Sequence, residues 1–263
     1  MLLILKPDKD HLGREGARIV ANAIRRNPKI RLGLATGSTM LTFYRELVRL
    51  HREEKLDFSG IVSFNLDEYL GLPATHPESF HYFMHENLFR HVNVKPENIH
   101  IPDGTISENY DRYCGAYEQA IRDAGGIDLQ ILGIGRNGHV GFNEPTSSLG
   151  SRTRLKVLTK ETIDDNRKSF KPGEKVPECA ITMGIGTILE ARRILLLASG
   201  SSKATSIAQA IEGPVTAGVT ASALQHHPDV TFIVDQDAGA HLKHHDYYAR
   251  VLRLTAELTP ERI

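Results

Sequence analysis

The stretch LGIGRNGHVGFNEP, residues 132–145, follows an apolar run and places one histidine among four glycines. Its first three glycines match G-x-G-x-x-G, a pattern of dinucleotide-binding loops in which a helix begins directly after the glycines. Here Gly141 and Pro145 follow, and neither residue favours a helix. The stretch therefore predicts a strand followed by an open loop. Basic residues at 152, 154 and 156 are compatible with the 2′-phosphate of NADP, but the missing helix argues against any dinucleotide.

Similar strand and helix patterns alternate on both sides of this stretch. Short apolar runs predict strands at residues 2–5, 30–35, 61–65, 127–132, 179–183, 193–198 and 230–234. Amphipathic segments predict helices at residues 13–26, 40–53, 79–91, 107–124 and 202–212. The strands lack polar alternation, which is typical of strands buried on both faces of a parallel sheet. The sequence therefore predicts an α/β fold in a single domain over residues 1–263.

The composition narrows the range of partners. Lys+Arg and Asp+Glu both total 32, so the net charge is zero and gives no global reason to expect nucleic acid or an anionic membrane as partner. A local basic pocket for a small anion remains compatible with this balance. The N-terminus lacks the apolar core of a signal peptide, and no run approaches the roughly 18 apolar residues of a membrane span. We expect a soluble cytoplasmic protein.

Two loops carry groups suited to an anion. Gly37, Ser38 and Thr39, in ATGSTM, would offer backbone N–H groups and hydroxyls at a helix N-terminus, where the helix dipole favours negative charge. A plain N-cap by Ser38 or Thr39 explains the same residues. Lys203, in GSSKA, stands in the first turn of another predicted helix, against the dipole. It indicates either a bound anion or a solvated lysine.

Two further loops carry groups suited to proton transfer. Asp67 and Glu68 follow a predicted buried strand, where either carboxyl could have a raised pKa and act as a general base, or could be solvated. His139 lies in a glycine-rich loop with Asn137 before it and Glu144 after it. A carboxylate near a histidine can orient the ring and fix its tautomer, so this loop predicts acid–base chemistry. The alternative for His139 is an ordinary surface histidine.

A pair of histidines, His81 and His85, lies four residues apart in a predicted helix. That spacing can hold a metal, but the sequence suggests no third ligand. We therefore expect no metal site.

Six segments occur in one order along nearly the whole chain: LGLATGSTM, SFNLDEYLGL, HPESFHYFM, LGIGRNGHVGFNEP, SRTRLKVLT and GSSKA. Together they closely resemble the glucosamine-6-phosphate deaminase family. The resemblance implies a modified Rossmann-like α/β fold, an open, mostly parallel sheet with helices on both faces. It also implies conversion of glucosamine 6-phosphate and water into fructose 6-phosphate and ammonia, in amino-sugar catabolism, without a nucleotide or metal cofactor.

The resemblance implies a role for each residue of the proton-transfer loops. Asp67 falls at the base that moves a proton between C2 and C1 of the open-chain sugar. His139 falls at the acid–base group of ring opening, and Glu144 at its carboxylate partner. Some members have an aspartate where this chain has Asn137, which can form hydrogen bonds but carries no charge. We expect Asn137 to alter the protonation of His139 and the deaminase activity to be retained.

The resemblance also implies a phosphate site formed by Gly37, Ser38, Thr39 and Lys203. The family has a further phosphate-binding arginine in the segment after LTKET, where this chain has Lys168 with Arg167 beside it. If Lys168 takes that place, it supplies charge without the bidentate fork.

Hexameric members carry a regulatory site for N-acetylglucosamine 6-phosphate at a subunit interface, and the matching residues here are Ser147, Arg154 and Lys156. The sequence does not show whether this chain forms that hexamer, and an inert basic strand is the alternative. Two other functions fit the same fold. These are a 6-phosphogluconolactonase-like hydrolase and a non-catalytic sugar-phosphate-sensing domain, the latter disfavoured because all the acid–base residues are present.

Overall fold

The structure is a computed structural model, and it describes residues 1–259. Within these residues the chain forms ten strands: β1 Leu2–Lys6, β2 Arg31–Leu34, β3 Val62–Asn65, β4 Asp67–Tyr69, β5 Ile99–His100, β6 Leu129–Leu132, β7 Arg154–Val157, β8 Cys179–Thr182, β9 Arg193–Ala198 and β10 Val230–Asp235. The same residues form eight α-helices: α1 Lys9–Arg26, α2 Met40–Glu54, α3 Phe80–Asn87, α4 Tyr110–Asp123, α5 Lys160–Asn166, α6 Ile185–Leu189, α7 Ala204–Glu212 and α8 His245–Leu258. Residues 260–263, the end of the predicted single domain, lie outside the described residues.

Seven strands form a parallel sheet in the order β1-β10-β9-β6-β2-β3-β5. Every neighbouring pair is parallel, so the carboxyl ends of all seven strands meet at one edge of the sheet. The interior strands β6 and β10 are buried along their whole length, as their mostly apolar sequences predict, although Gln130, Thr231 and Asp235 are buried with them. The expected α/β class with a mostly parallel sheet is confirmed.

A second, antiparallel sheet has the order β4-β8-β7. The predicted strand at residues 179–183 is β8 of this small sheet and does not belong to the parallel one. Its partners were not predicted because β4 has only three residues, DEY, and β7 is the half-basic segment RLKV. The pairing places Asp67 and Arg154 on either side of Thr182.

Helices α1 and α2 pack closely, and this contact positions the loop that precedes α2. A Cβ atom on Gly13 would lie 2.6 Å from Oγ1 of Thr42, so only glycine allows this approach. Gly16 fits against Phe43 and Leu197, the latter a residue of β9. The N-terminus of α2 is thereby held at the carboxyl edge of the parallel sheet.

Two negative findings concern the described part of the chain. None of its helices is long and apolar enough to cross a membrane. Residues 1–259 also contain no group of three or more histidine, cysteine or acidic side chains that could hold a metal ion. The rings of His81 and His85 stack on each other with centroids 4.6 Å apart.

Candidate active site

A cleft of about 720 Å³ opens at the carboxyl ends of β2, β3 and β6. The loops after these three strands line it, together with the start of α3, the segment after α5 and Lys203. Ligands of open α/β sheets bind at this edge, beyond the carboxyl ends of the strands. The cleft therefore brings together the loops that the sequence predicts separately to bind an anion and to transfer protons.

The loop between β2 and α2 offers donor groups to the cleft. Gly37 has a φ of +106°, and a Cβ atom there would meet nothing within 4 Å. Thr39 stands at the N-cap of α2, but its side chain makes no capping hydrogen bond. Ser38 and Lys203 line the same cleft. Amide groups, hydroxyls and a cation at a helix N-terminus form a site suited to a phosphate group.

Asp67 is a buried carboxylate that lines the cleft, with 5% of the residue exposed. Burial raises the pKa of its carboxyl well above the ordinary range, and the neighbouring Glu68 raises it further. A carboxylate with a raised pKa is a stronger base at neutral pH than an ordinary aspartate.

Glu68 does not line the cleft. Its carboxylate accepts backbone N–H bonds from Tyr69 at 2.8 Å, Phe80 at 2.9 Å and His81 at 2.8 Å. Burial raises the pKa of Glu68 to about 7, although these three bonds act in the opposite direction. Of the two acids that the sequence leaves open, the geometry favours Asp67 as the group that meets a ligand.

The loop after β6 folds back on itself and presents His139 to the cleft. The N–H of Gly135 donates to the carbonyl of His139 at 2.8 Å, and the N–H of Gly138 donates to the carbonyl of Gly135 at 3.0 Å. The imidazole covers Gly135 so closely that a Cβ atom there would collide with the ring. No helix begins within residues 133–150, so the geometry of a dinucleotide-binding loop is absent from this segment.

Glu144 lies beneath His139, with 1% of the residue exposed. Its Oε2 is 3.3 Å from Nδ1 of His139, an ion-pair distance that is not aligned for a hydrogen bond. Burial raises the pKa of Glu144, but contacts with His139, Thr162 and Asn137 outweigh it and lower the pKa to about 2. Glu144 is therefore an anion at neutral pH and stabilises a positive charge on the imidazole.

Asn137 connects the two residues. Its Oδ1 accepts the backbone N–H of His139 at 3.2 Å, and its Nδ2 donates to Oε2 of Glu144 at 3.0 Å. It thus holds the loop and the carboxylate in place and does not contact the imidazole nitrogens with a hydrogen bond. Asn137 therefore acts on the imidazole through Glu144 and through the backbone of His139.

Gly141 brings the two halves of the site together. It has a φ of +56°, and a Cβ atom there would lie 2.9 Å from Oγ1 of Thr182 and 3.4 Å from Oδ2 of Asp67. Oγ1 of Thr182 also accepts the backbone N–H of Phe142 at 3.0 Å. The loop that carries His139 therefore lies directly against the carboxylate of Asp67.

The structure corrects the expectation for Lys168. Asn166 and Ser169 line the cleft, but the side chain of Lys168 is 79% exposed and lies 3.8 Å from Asp165. The turn that closes between Ser169 and Asn166 directs it to solvent. Lys168 is not brought to the phosphate-binding loop.

The expected regulatory residues do not line the cleft, and they lie beyond the loop that carries His139, residues 133–145, which we call the catalytic loop after its predicted role. Ser147 is buried, and Lys156 is partly buried in β7. Nη1 of Arg154 donates to Oδ1 of Asn143 at 2.9 Å and to the carbonyl of Arg152 at 3.2 Å. These contacts connect β7 to the loop that carries His139.

An aromatic wall beside Asp67 was not predicted. Phe80 and Phe142 stack with centroids 5.6 Å apart, and Tyr69 and Phe170 pack beside them. All four residues line the cleft. They come from four separate segments, so no local sequence pattern marks them as a group. The wall makes one side of the cleft apolar.

Comparisons with known proteins agree on one family. The family model described as glucosamine-6-phosphate isomerases/6-phosphogluconolactonase matches residues 9–232. A glucosamine-6-phosphate deaminase of Thermoanaerobacter pseudethanolicus is 48% identical over 240 residues, which cover 91% of this chain and 94% of that protein. One of Hahella chejuensis is 49% identical over 251 residues, with 94% of each chain covered.

Solved structures show the same relationship. A monomeric glucosamine-6-phosphate deaminase is 43% identical, with a TM-score of 0.89 and coverage of 92% of this chain and 100% of that chain. A 6-phosphogluconolactonase of Trypanosoma brucei is 20% identical, with a TM-score of 0.72 and coverage of 92% and 98%, and shares the fold. This chain belongs to the glucosamine-6-phosphate isomerase/6-phosphogluconolactonase family.

Proposed function

We propose that this chain is a glucosamine-6-phosphate deaminase, which converts glucosamine 6-phosphate and water into fructose 6-phosphate and ammonia. The observation that carries the proposal is that a buried carboxylate at Asp67 lines the same cleft as His139, whose imidazole lies 3.3 Å from the carboxylate of Glu144. Relatives that are 48% and 49% identical over more than 90% of the chain are deaminases of this name.

The phosphate group of the substrate binds at the N-terminus of α2. Gly37, Ser38 and Thr39 supply amide and hydroxyl donors, and Lys203 supplies positive charge. This contact fixes one end of the sugar and leaves C1 and C2 near the carboxylate of Asp67.

Ring opening requires a proton to leave the anomeric hydroxyl and another to reach the ring oxygen. His139 is suited to both transfers because a histidine exchanges protons near neutral pH. Glu144, held as an anion, stabilises the imidazolium that forms between them. Asn137 keeps Glu144 in position.

Isomerisation then uses Asp67. Its carboxylate takes the proton from C2, and the electron pair of the C2–H bond forms a C1–C2 double bond while O1 takes up a proton from solvent. The later hydrolysis at C2 returns one proton to solvent. The same carboxyl returns the proton to C1, which leaves an iminium group at C2. Water adds to C2, ammonia leaves, and the carbonyl of fructose 6-phosphate remains. Asp67 ends in its original ionisation state, and no cofactor takes part.

A 6-phosphogluconolactonase is the second candidate, favoured by the shared fold and by the anion-binding loop. Lactone hydrolysis requires no base next to C2, so it does not explain why a buried carboxylate at Asp67 lines the cleft. A domain that only senses sugar phosphates leaves both Asp67 and the pair of His139 and Glu144 without a purpose.

An assay of the purified protein with two substrates tests the proposal. With glucosamine 6-phosphate we expect ammonia and fructose 6-phosphate in equal amounts, and with 6-phosphogluconolactone we expect no acceleration over spontaneous hydrolysis. Hydrolysis of the lactone without release of ammonia would instead identify a lactonase. Binding of both compounds without turnover of either would identify a sensing domain.

Two finer statements remain predictions from the sequence, the cytoplasmic location and the single domain over residues 1–263. For Ser147, Arg154 and Lys156 two alternatives stay open, a regulatory site at a hexamer interface and an inert basic strand. The similar structure with a TM-score of 0.89 is a monomeric deaminase, and this favours a monomer for the present chain.

A further inference from the structure

An ion pair connects the catalytic loop to α5 at the edge of the cleft. Nη1 of Arg136 lies 2.9 Å from Oδ1 of Asp165, and the two side chains are 50% and 33% exposed. Each partner has a neighbour in the chain that lines the cleft, Gly135 beside Arg136 and Asn166 beside Asp165. The pair therefore stands at the rim of the cleft, and its charges are not buried in the protein.

The same two charges act on Lys203. Burial lowers the pKa of the Lys203 ammonium, Asp165 raises it, and Arg136 lowers it. The two cations and the carboxylate thus form one electrostatic group at the phosphate end of the cleft. Lys168, the expected second cation, faces solvent and is not part of that end.

We infer that Arg136 is the second cationic ligand of the substrate phosphate, and that Asp165 occupies its guanidinium until the phosphate binds. The inference rests on the proposed function, because the anion concerned is the phosphate of glucosamine 6-phosphate. Arg136 would exchange the Asp165 carboxylate for phosphate oxygens, and no covalent bond changes.

Three physical points favour this exchange. A guanidinium binds carboxylate and phosphate oxygens with the same forked geometry. A phosphate monoester carries nearly two negative charges at neutral pH, so it attracts Arg136 more strongly than one carboxylate does. Lys203 and the N-terminus of α2 hold that phosphate in the cleft. Asp165 is one-third exposed, so water can solvate its carboxylate once Arg136 leaves.

The alternative is that the pair only clamps α5 against the catalytic loop. The two explanations differ in the sign of one effect. If the pair is a clamp, loss of either partner damages the site in the same way. If Asp165 competes with phosphate for Arg136, loss of Arg136 weakens phosphate binding, whereas loss of Asp165 strengthens it.

The test compares Arg136→Gln, Asp165→Asn and a control variant. The control is Arg25→Gln, which removes an arginine from another ion pair between two elements, Arg25 with Glu54 at 3.0 Å, with exposures of 45% and 44%. For Arg136→Gln we expect KM for glucosamine 6-phosphate to rise by roughly 10- to 100-fold, the range of a charge-assisted hydrogen bond. We expect kcat within about twofold of wild type, because the interaction is the same in the ground and transition states.

Asp165→Asn should lower KM, and Arg25→Gln should leave it unchanged. Titration calorimetry with inorganic phosphate should show the same order of affinities, with Arg136→Gln weakest. An unchanged KM and phosphate affinity in Arg136→Gln would overturn the inference, as would a rise in KM for Asp165→Asn equal to that for Arg136→Gln. Arg136→Lys, which keeps the charge and removes the fork, should give an intermediate KM and covers the case in which Arg136→Gln does not fold.

Calorimetry measures the affinity for inorganic phosphate without turnover. The role of Arg136 and the proposed function can therefore fail separately. A wild-type protein that binds phosphate through Arg136 but releases no ammonia contradicts the proposed function. A wild-type protein that releases ammonia while Arg136→Gln behaves like the Arg25→Gln control contradicts the role of Arg136 alone.

Discussion

At the residue scale, the buried carboxylate of Asp67 is expected to reduce stability while it serves the reaction. Its pKa in the folded protein is raised, whereas an unfolded aspartate titrates near about 3.9. The protonated form is therefore favoured by folding, and stability is lost as the pH rises from the unfolded pKa through the folded one. A functional group of this kind is retained against its cost to stability.

We accordingly expect Asp67→Asn to unfold at a higher temperature than wild type at pH 8. About 1 kcal/mol corresponds to roughly 2–4 °C in a chain of this size, so the gain should be a few degrees. Thermal melts across a pH series should show the gain disappear as the pH falls below the unfolded pKa of about 3.9, where the wild-type carboxyl is protonated in both states. A wild-type protein that is the more stable one at pH 8 would contradict the raised pKa of Asp67.

Glu68 should tune Asp67 through its charge. In Glu68→Gln the amide oxygen can still accept the bonds from Tyr69 and Phe80, since both go to Oε1, and only the bond from His81 is lost. Removal of the like charge lowers the pKa of Asp67, so the acidic limb of the kcat/KM profile should move to lower pH. If the acidic limb of the kcat/KM profile does not move in Glu68→Gln while the unfolding temperature falls, the role of Glu68 is structural only.

His139→Gln should slow turnover of the closed pyranose more than turnover of an analogue that cannot cyclise. Gln keeps a polar side chain of similar size but cannot shuttle a proton between the anomeric hydroxyl and the ring oxygen. Steady-state rates with both compounds measure the difference. An equal loss of rate on the two compounds would mean that His139 does not act in ring opening.

At the scale of elements, the glycines of the loop after β6 serve to place the ring of His139. Gly135→Ala inserts a methyl group where the imidazole lies, and the ring must move. A displacement of about 1 Å at a reacting group can cost about 100-fold in rate, so we expect a loss of that order in kcat. The matched control is Gly115→Ala in α4, where a Cβ atom meets nothing within 4 Å and activity should not change. Equal activity in the two variants would contradict the close packing of His139 on Gly135.

The elements also show what the sequence could predict. Mostly apolar runs such as β9 and β10 can be predicted as strands, because a strand buried on both faces needs mostly apolar side chains. The two residues of β5 and the polar DEY of β4 carry no such pattern, and pairing with neighbouring strands alone makes them strands. The 7-residue α5 was also missed, because it is too short to show a helical period.

The same distinction holds for the candidate site. Asp67, His139 and Glu144 were predictable because local motifs carry them, and the structure brings all three to one site. Lys168 was misplaced because its position depends on how the chain leaves α5. Arg136 was not singled out, because its partner Asp165 lies 29 residues away in another element.

At the scale of the whole molecule, the question is whether the residues behind the catalytic loop form a regulatory site. Within one chain Arg154 already binds Asn143, and Ser147 is shielded from solvent although its hydroxyl has no hydrogen-bond partner among the described residues. We expect a hyperbolic dependence of rate on glucosamine 6-phosphate that N-acetylglucosamine 6-phosphate does not change. A sigmoidal curve that this compound straightens, together with a hexamer in sedimentation, would contradict the expectation and support the regulatory site.

The most direct measurement is the stoichiometry of products formed by wild type and by Asp67→Asn from glucosamine 6-phosphate, with no cofactor added. We predict one ammonia and one fructose 6-phosphate per substrate consumed by wild type. We predict no release of either product by Asp67→Asn, because an amide cannot accept the proton from C2. Deamination by Asp67→Asn at a rate near that of wild type would contradict the account of this cleft.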